Sequence, residues 1–137
     1  MRYSPSKPRH AAATVEFALV APLLFTLVFA AIEAGRAMMA MDLMANTART
    51  GCRVGVLPGN SNSDVTSATT SPLRNSGISN ATVSITVNGA TADVSTANEG
   101  DQIGVTVSVT NDSISWLPSS WFFGGTTLTR SIIMRHE

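Results

Sequence analysis

The chain has 137 residues, room for about one domain, with 44% hydrophobic residues, only 13% charged residues and a formal net charge of zero. That balance excludes a broadly basic surface for nucleic acid. The one cysteine, Cys52, excludes an internal disulfide and leaves one between subunits open. His10 and His136 lie near the two ends, which leaves no His/Cys cluster at metal-ligand spacing and no Cys-His or Ser-His-Asp arrangement. The expectation is a non-enzyme with no catalytic residue, metal, cofactor or small-molecule substrate.

The first residues form a basic flank, because Arg2, Lys7 and Arg9 occur there without an acidic residue. A flank of this kind marks the cytoplasmic side of a membrane segment. From Phe17 to Ile32 the chain reads FALVAPLLFTLVFAAI, with no charge. At about 1.5 Å per residue this run covers roughly 24 Å, short of a hydrocarbon core of about 30 Å. Adding Ala11 to Val15 closes the gap and brings Glu16 into or to the rim of the apolar layer, where a carboxylate is unfavourable without a partner. The transmembrane helix is therefore assigned to 12–35. Pro22 removes one backbone donor inside it and predicts a kink.

An amphipathic extension of the same helix is expected over 36–56. Met38, Met41, Ala45, Ala48 and Cys52 recur at steps of three and four and define a packing face, while Asp42, Asn46, Arg49 and Arg53 follow the same rhythm on another face. The methionines fit packing better than copper ligation, because Met adapts to irregular helix interfaces. Glu33 and Arg36 are spaced to pair across one turn. Gly51 and Gly55 weaken the helix near its end and Pro58-Gly59 stops it.

Residues 57–79, rich in Gly, Asn, Ser and Thr, read as a loop or linker with at most a short helix from Asp64 toward Arg74, against which Pro72 argues. From Asn80 the period changes to two. Val83, Ile85 and Val87 alternate with polar residues, as do Ile103, Val105, Val107 and Val109, and Asn88-Gly89 signals a hairpin from which a weak strand returns through 90–95. A last strand is expected between Thr127 and Met134, where Arg130 shares a face with Leu128 and Ile132 and so points to an edge position. Trp116, Trp121, Phe122 and Phe123, around Pro118, read as a cap on this sheet, with a partner-binding patch as the alternative. Residues 80–137 thus form a small extracytoplasmic β domain. The fold class is α+β: one long N-terminal transmembrane helix, then a small antiparallel sheet of three to four strands.

The stretch from Ala11 to Val56 closely resembles the amino-terminal segment of TadE-like proteins of the tight-adherence (Tad/Flp) pilus system. The resemblance is carried by the VEFAL block at Val15 to Leu19, by Pro22, by the IEAGR block at Ile32 to Arg36 and by the Ala-Arg-x-Gly-x-Arg segment at Ala48 to Arg53. It implies a pilin-like α+β fold and a minor pseudopilin whose basic leader, residues 1–11, is cut by a prepilin peptidase between Ala11 and Ala12, where Ala11 stands in place of the family's usual glycine. Glu16 would then be the fifth mature residue and would neutralise the new amino terminus of a neighbouring subunit. The implied partners are other pilins or pseudopilins, the prepilin peptidase and an inner-membrane assembly platform. The implied location is the bacterial inner membrane, with one pass, a cytoplasmic N-terminus and an extracytoplasmic C-terminal domain. Two other readings share the same residues. One is a single-pass anchor carrying an adhesive or binding module. The other is a secreted β domain behind a signal peptide cut near Val28-Phe29-Ala30.

Overall fold

The computed structural model describes residues 9–111, 114 and 125–136, with side chains from residue 12 onward. The aromatic cluster from Trp116 to Phe123 and the basic residues Arg2 and Lys7 lie outside the described residues. Helix α1 (Arg9–Gly55) is followed by α2 (Asn62–Asn75), strand β1 (Thr82–Val87), a one-turn 3-10 helix (Val94–Thr96), β2 (Gln102–Thr110) and β3 (Thr127–Arg135). The chain divides into two compact units, residues 1–34 and 35–137.

In the first unit, the apolar residues of α1 are exposed on every face; Leu19 and Leu23, one turn apart, are 74% and 71% exposed. A helix that is apolar all round and covered by none of the described residues is suited to a bilayer or to other helices. It is the one described helix long and apolar enough to cross a membrane, with a mean hydropathy of 2.3 in its most apolar window. Pro22 lies inside it, and Thr26 Oγ1 donates to the Pro22 carbonyl at 2.7 Å.

The second unit is a three-stranded antiparallel sheet in the order β1-β2-β3, packed against the last part of α1 and against α2. Alternation fixes its register. Val83, Ile85 and Val87 pair with Val107, Val105 and Ile103, which pair in turn with Arg130, Ile132 and Met134 of β3. These apolar side chains face the helices, while hydroxyl pairs tie β2 to β3 on the solvent side, Thr106 to Ser131 at 2.9 Å and Ser108 to Thr129 at 3.2 Å. β3 is an edge strand, and Arg130 on its inner face escapes burial by reaching Met41 Sδ at 3.1 Å.

Two expectations change. First, residues 62–75 form a full helix where a loop or short helix was expected. Asp64 Oδ2 accepts from Ser61 N at 2.9 Å and from Ser61 Oγ at 2.7 Å, closing the first turn. The Ser61 hydroxyl, then its amide, hold the Asp64 carboxyl below the usual carboxylate range. The hydroxyls of Thr66, Thr69, Thr70 and Ser71 each bond the carbonyl four residues back, so a Ser/Thr-rich segment stays helical with its side chains satisfied. Val65, Thr69 and Leu73 are buried at four-residue steps, and this burial outweighs both poor propensity and Pro72 in the last turn. Gly77, at φ 86°, ends the helix with Gly77 N donating to Arg74 O and Ile78 N to Leu73 O.

Second, the hairpin at Asn88-Gly89 forms, with both residues at positive φ and reciprocal bonds between Val87 and Ala90, but no fourth strand returns from it. The Asn62 side chain takes the backbone groups a strand would need: Nδ2 donates to Ala92 O at 3.1 Å and Oδ1 accepts from Val94 N at 3.0 Å. Asp93 then accepts from Ser95 N and turns the chain into the 3-10 helix.

The tightest place in the unit is Gly51, where a Cβ would collide with Thr69 Oγ1 of α2 and lie 3.5 Å from both Val65 and Val105. One turn on, a Cβ at Gly55 would lie 3.1 Å from Ile103 and 3.3 Å from Val65. Gly51→Val is expected to destabilise the second unit by about 2 kcal/mol or more, because three packed elements must separate to admit the side chain. Thermal unfolding in detergent, followed by the sheet signal, checks this; an unchanged midpoint would contradict the packing.

Candidate functional site

Among the described residues there is no group of three His, Cys, Asp or Glu side chains able to hold a metal. The residues of α1 change character at Gly35. Before it, Glu16 is exposed on the apolar helix. At the boundary Glu33 is buried, and its Oε2 finds no hydrogen-bond partner among the described residues. Arg36 donates from Nε and Nη2 to the carbonyl of Ile114 at 3.3 and 2.7 Å, which fastens the first turn of the second unit to the end of β2.

Beyond Arg36 the buried face of α1 runs through Ala40, Met44, Thr47, Ala48, Gly51, Cys52 and Gly55. Of the packing face expected from spacing, Ala48 and Cys52 lie fully in this core, Met41 and Ala45 are half-buried, and Met38 is 63% exposed. The centre of the buried face is rotated toward Met44, Thr47 and Gly51. Thr47 and Gly51 lie off the face traced from spacing, although small residues are needed where the elements approach most closely. The Thr47 hydroxyl is satisfied locally by Met44 O at 3.1 Å. The opposite face, with Asp42, Asn46, Arg49 and Arg53, is exposed.

Cys52 is wholly buried, with Sγ 3.2 Å from Ile132 O and 3.8 Å from Ile103 O. Burial pushes its thiol up, against a smaller opposite effect of the Val105 backbone. Such a thiol is a small hydrophobe with a weak donor and is neither a nucleophile nor poised for a disulfide between subunits.

Residues 11–53 match the family model of TadE-like proteins. They are a TadE-like domain. The match spans about a third of the chain, from the start of the apolar run to the last turn of α1, so the TadE-like domain contributes both the exposed apolar helix and the α1 part of the second unit's core. No curated protein and no solved structure matches the chain.

Cys52 in the folded full-length protein is expected to resist maleimide at neutral pH and to react at least about tenfold faster once the chain is denatured, because only the exposed thiolate is nucleophilic. Intact-mass analysis after timed labelling measures both rates. Equal rates would contradict the burial.

Proposed function

We propose that this chain is a minor pseudopilin or assembly subunit of a Tad/Flp-type pilus, acting by helix packing and not by catalysis. The observation that carries the reading is the coincidence of the TadE-like match with α1 in both its settings, bare and apolar before Gly35 and built into a small α+β unit after it. A subunit of this kind needs an element that stays in the membrane until assembly and a folded unit that moves with it.

In this reading the first part of α1 crosses the bacterial inner membrane once. The basic leader keeps the N-terminus cytoplasmic and residues 35–137 fold outside. A prepilin peptidase cuts between Ala11 and Ala12, which leaves a free α-amino group four residues before Glu16. Glu16, exposed on the helix, then neutralises the new amino terminus of an adjacent subunit as the helices dock. Desolvation strengthens such a pair and also makes an unpaired Glu16 unfavourable, so the contact checks register and adds little to the stability of a lone chain. Pro22 gives the span a place to bend during docking. Other pilins and the inner-membrane platform are the partners, and the half-exposed Met38 and Met41 edge of α1 is available to them.

Glu16→Gln is expected to leave insertion and orientation unchanged while lowering piliation, or co-purification with partner pilins, at least about tenfold, the scale of losing one member of a desolvated charge pair. Immunoblots of membrane fractions and of sheared surface fibres give the two readouts. Normal piliation with unchanged co-purification would remove the assembly role of this carboxylate.

A further inference from the structure

Among the described residues the sheet ends in an open edge at β3. His136 N donates to Asp101 O at 2.7 Å just past one end of the β2–β3 ladder, and Asn111 N donates to Thr126 O at 2.8 Å just past the other. Hydrogen-bonded pairs recur every second residue in an antiparallel ladder, so Leu128, Arg130, Ile132 and Met134 turn their backbone groups toward β2. The N–H and C=O groups of Thr127, Thr129, Ser131, Ile133 and Arg135 therefore point outward, and no described residue pairs with them. The opposite edge, β1, has six residues and lies beside α2, whereas β3 has nine in unbroken register without a proline.

The side chains of this edge select what can pair with it. Arg130 lies on the inner face between the half-buried Leu128 and Ile132; it is exposed, with Met41 Sδ at 3.1 Å and no paired carboxylate among the described residues. An inward-facing charge at an edge turns away apolar strands and admits one that brings the opposite charge to the same place. No acidic residue occurs in β1, β2 or β3, so no strand of a second copy supplies it. We infer that the β3 edge binds an extended acidic segment of a different protein as a fourth, antiparallel strand. The outward groups of β3 form the hydrogen-bonded pairs with it, and Arg130 falls in a non-hydrogen-bonded pair, where facing side chains stand closest. The incoming strand carries a carboxylate opposite Arg130 and, on the same face, apolar residues opposite Leu128, Ile132 and Met134. One added strand fills the edge, so the contact is one-to-one. It goes beyond the proposed pilus role and does not involve Glu16.

A capped peptide, Thr-Val-Thr-Val-Thr-Glu-Thr-Val-Thr, sets its glutamate opposite Arg130 when aligned antiparallel on Thr127–Arg135. Its binding to the full-length protein in detergent micelles is read by fluorescence anisotropy of the labelled peptide. The inference expects saturable binding that weakens about fivefold when lysine replaces the glutamate, the scale of an exposed ion pair, and the reverse preference in Arg130→Glu protein. N-methylation of the three central threonines is expected to weaken binding at least about tenfold, because their amides donate to β3. N-methylation of the valines, whose amides face away, should change it by less than about twofold. The methylated pair decides the matter even if Arg130→Glu fails to fold, since it leaves the protein unaltered. No saturable binding, equal binding of the glutamate and lysine peptides, or equal loss from both methylations overturns the inference. A dimer of the full-length chain that the peptide disperses would assign the edge to a second copy and overturn it as well.

Discussion

The closest approach in the second unit is that of α1 to α2 and β2 at Gly51, and the rest of the unit depends on it. With no side chain at that position, Thr69, Val65 and Val105 close over the helix backbone, and Gly55 repeats the arrangement against Ile103 and Val94. Small residues bring the elements near enough for large ones to fill the flanks. Met44 and Leu73 are fully buried on either side, each contributing about 1.5–3 kcal/mol. The sheet has only three strands and would be marginal alone; a face of α1 and a face of α2 cover it.

The helix that is apolar and exposed before Gly35 is the same helix whose buried stripe completes the core of the second unit after it. Arg36 holds the backbone at Ile114.

Much of this was legible in the sequence because the signals were periodic. Uncharged length marked the apolar part of α1, alternation marked β1, β2 and β3, Asn88-Gly89 marked the hairpin, and Arg130 among apolar residues marked an edge strand. The losses fell where local and tertiary effects competed. The 62–75 segment has poor helix formers and an internal proline, yet its Ser61 and Asp64 start signal and Gly77 stop signal were present to be read. The missing fourth strand could not be foreseen, since it depends on Asn62, some thirty residues away, bonding Ala92 and Val94. On α1, spacing located the buried Ala48 and Cys52, whereas the glycines that set the helix rotation looked like helix breakers.

Hydrogen exchange of the full-length protein in lipid bilayers, read by mass spectrometry along a denaturant series, tests most directly whether α1 is one helix serving two environments. The account predicts that amides of residues 38–55 are protected to the same degree as those of 103–109 and lose protection at the same denaturant concentration, as one cooperative unit, while residues 15–32 stay protected by the bilayer. Loss of protection over 38–55 well before the sheet opens would contradict it, because the helix would then be only a tether and not part of the core.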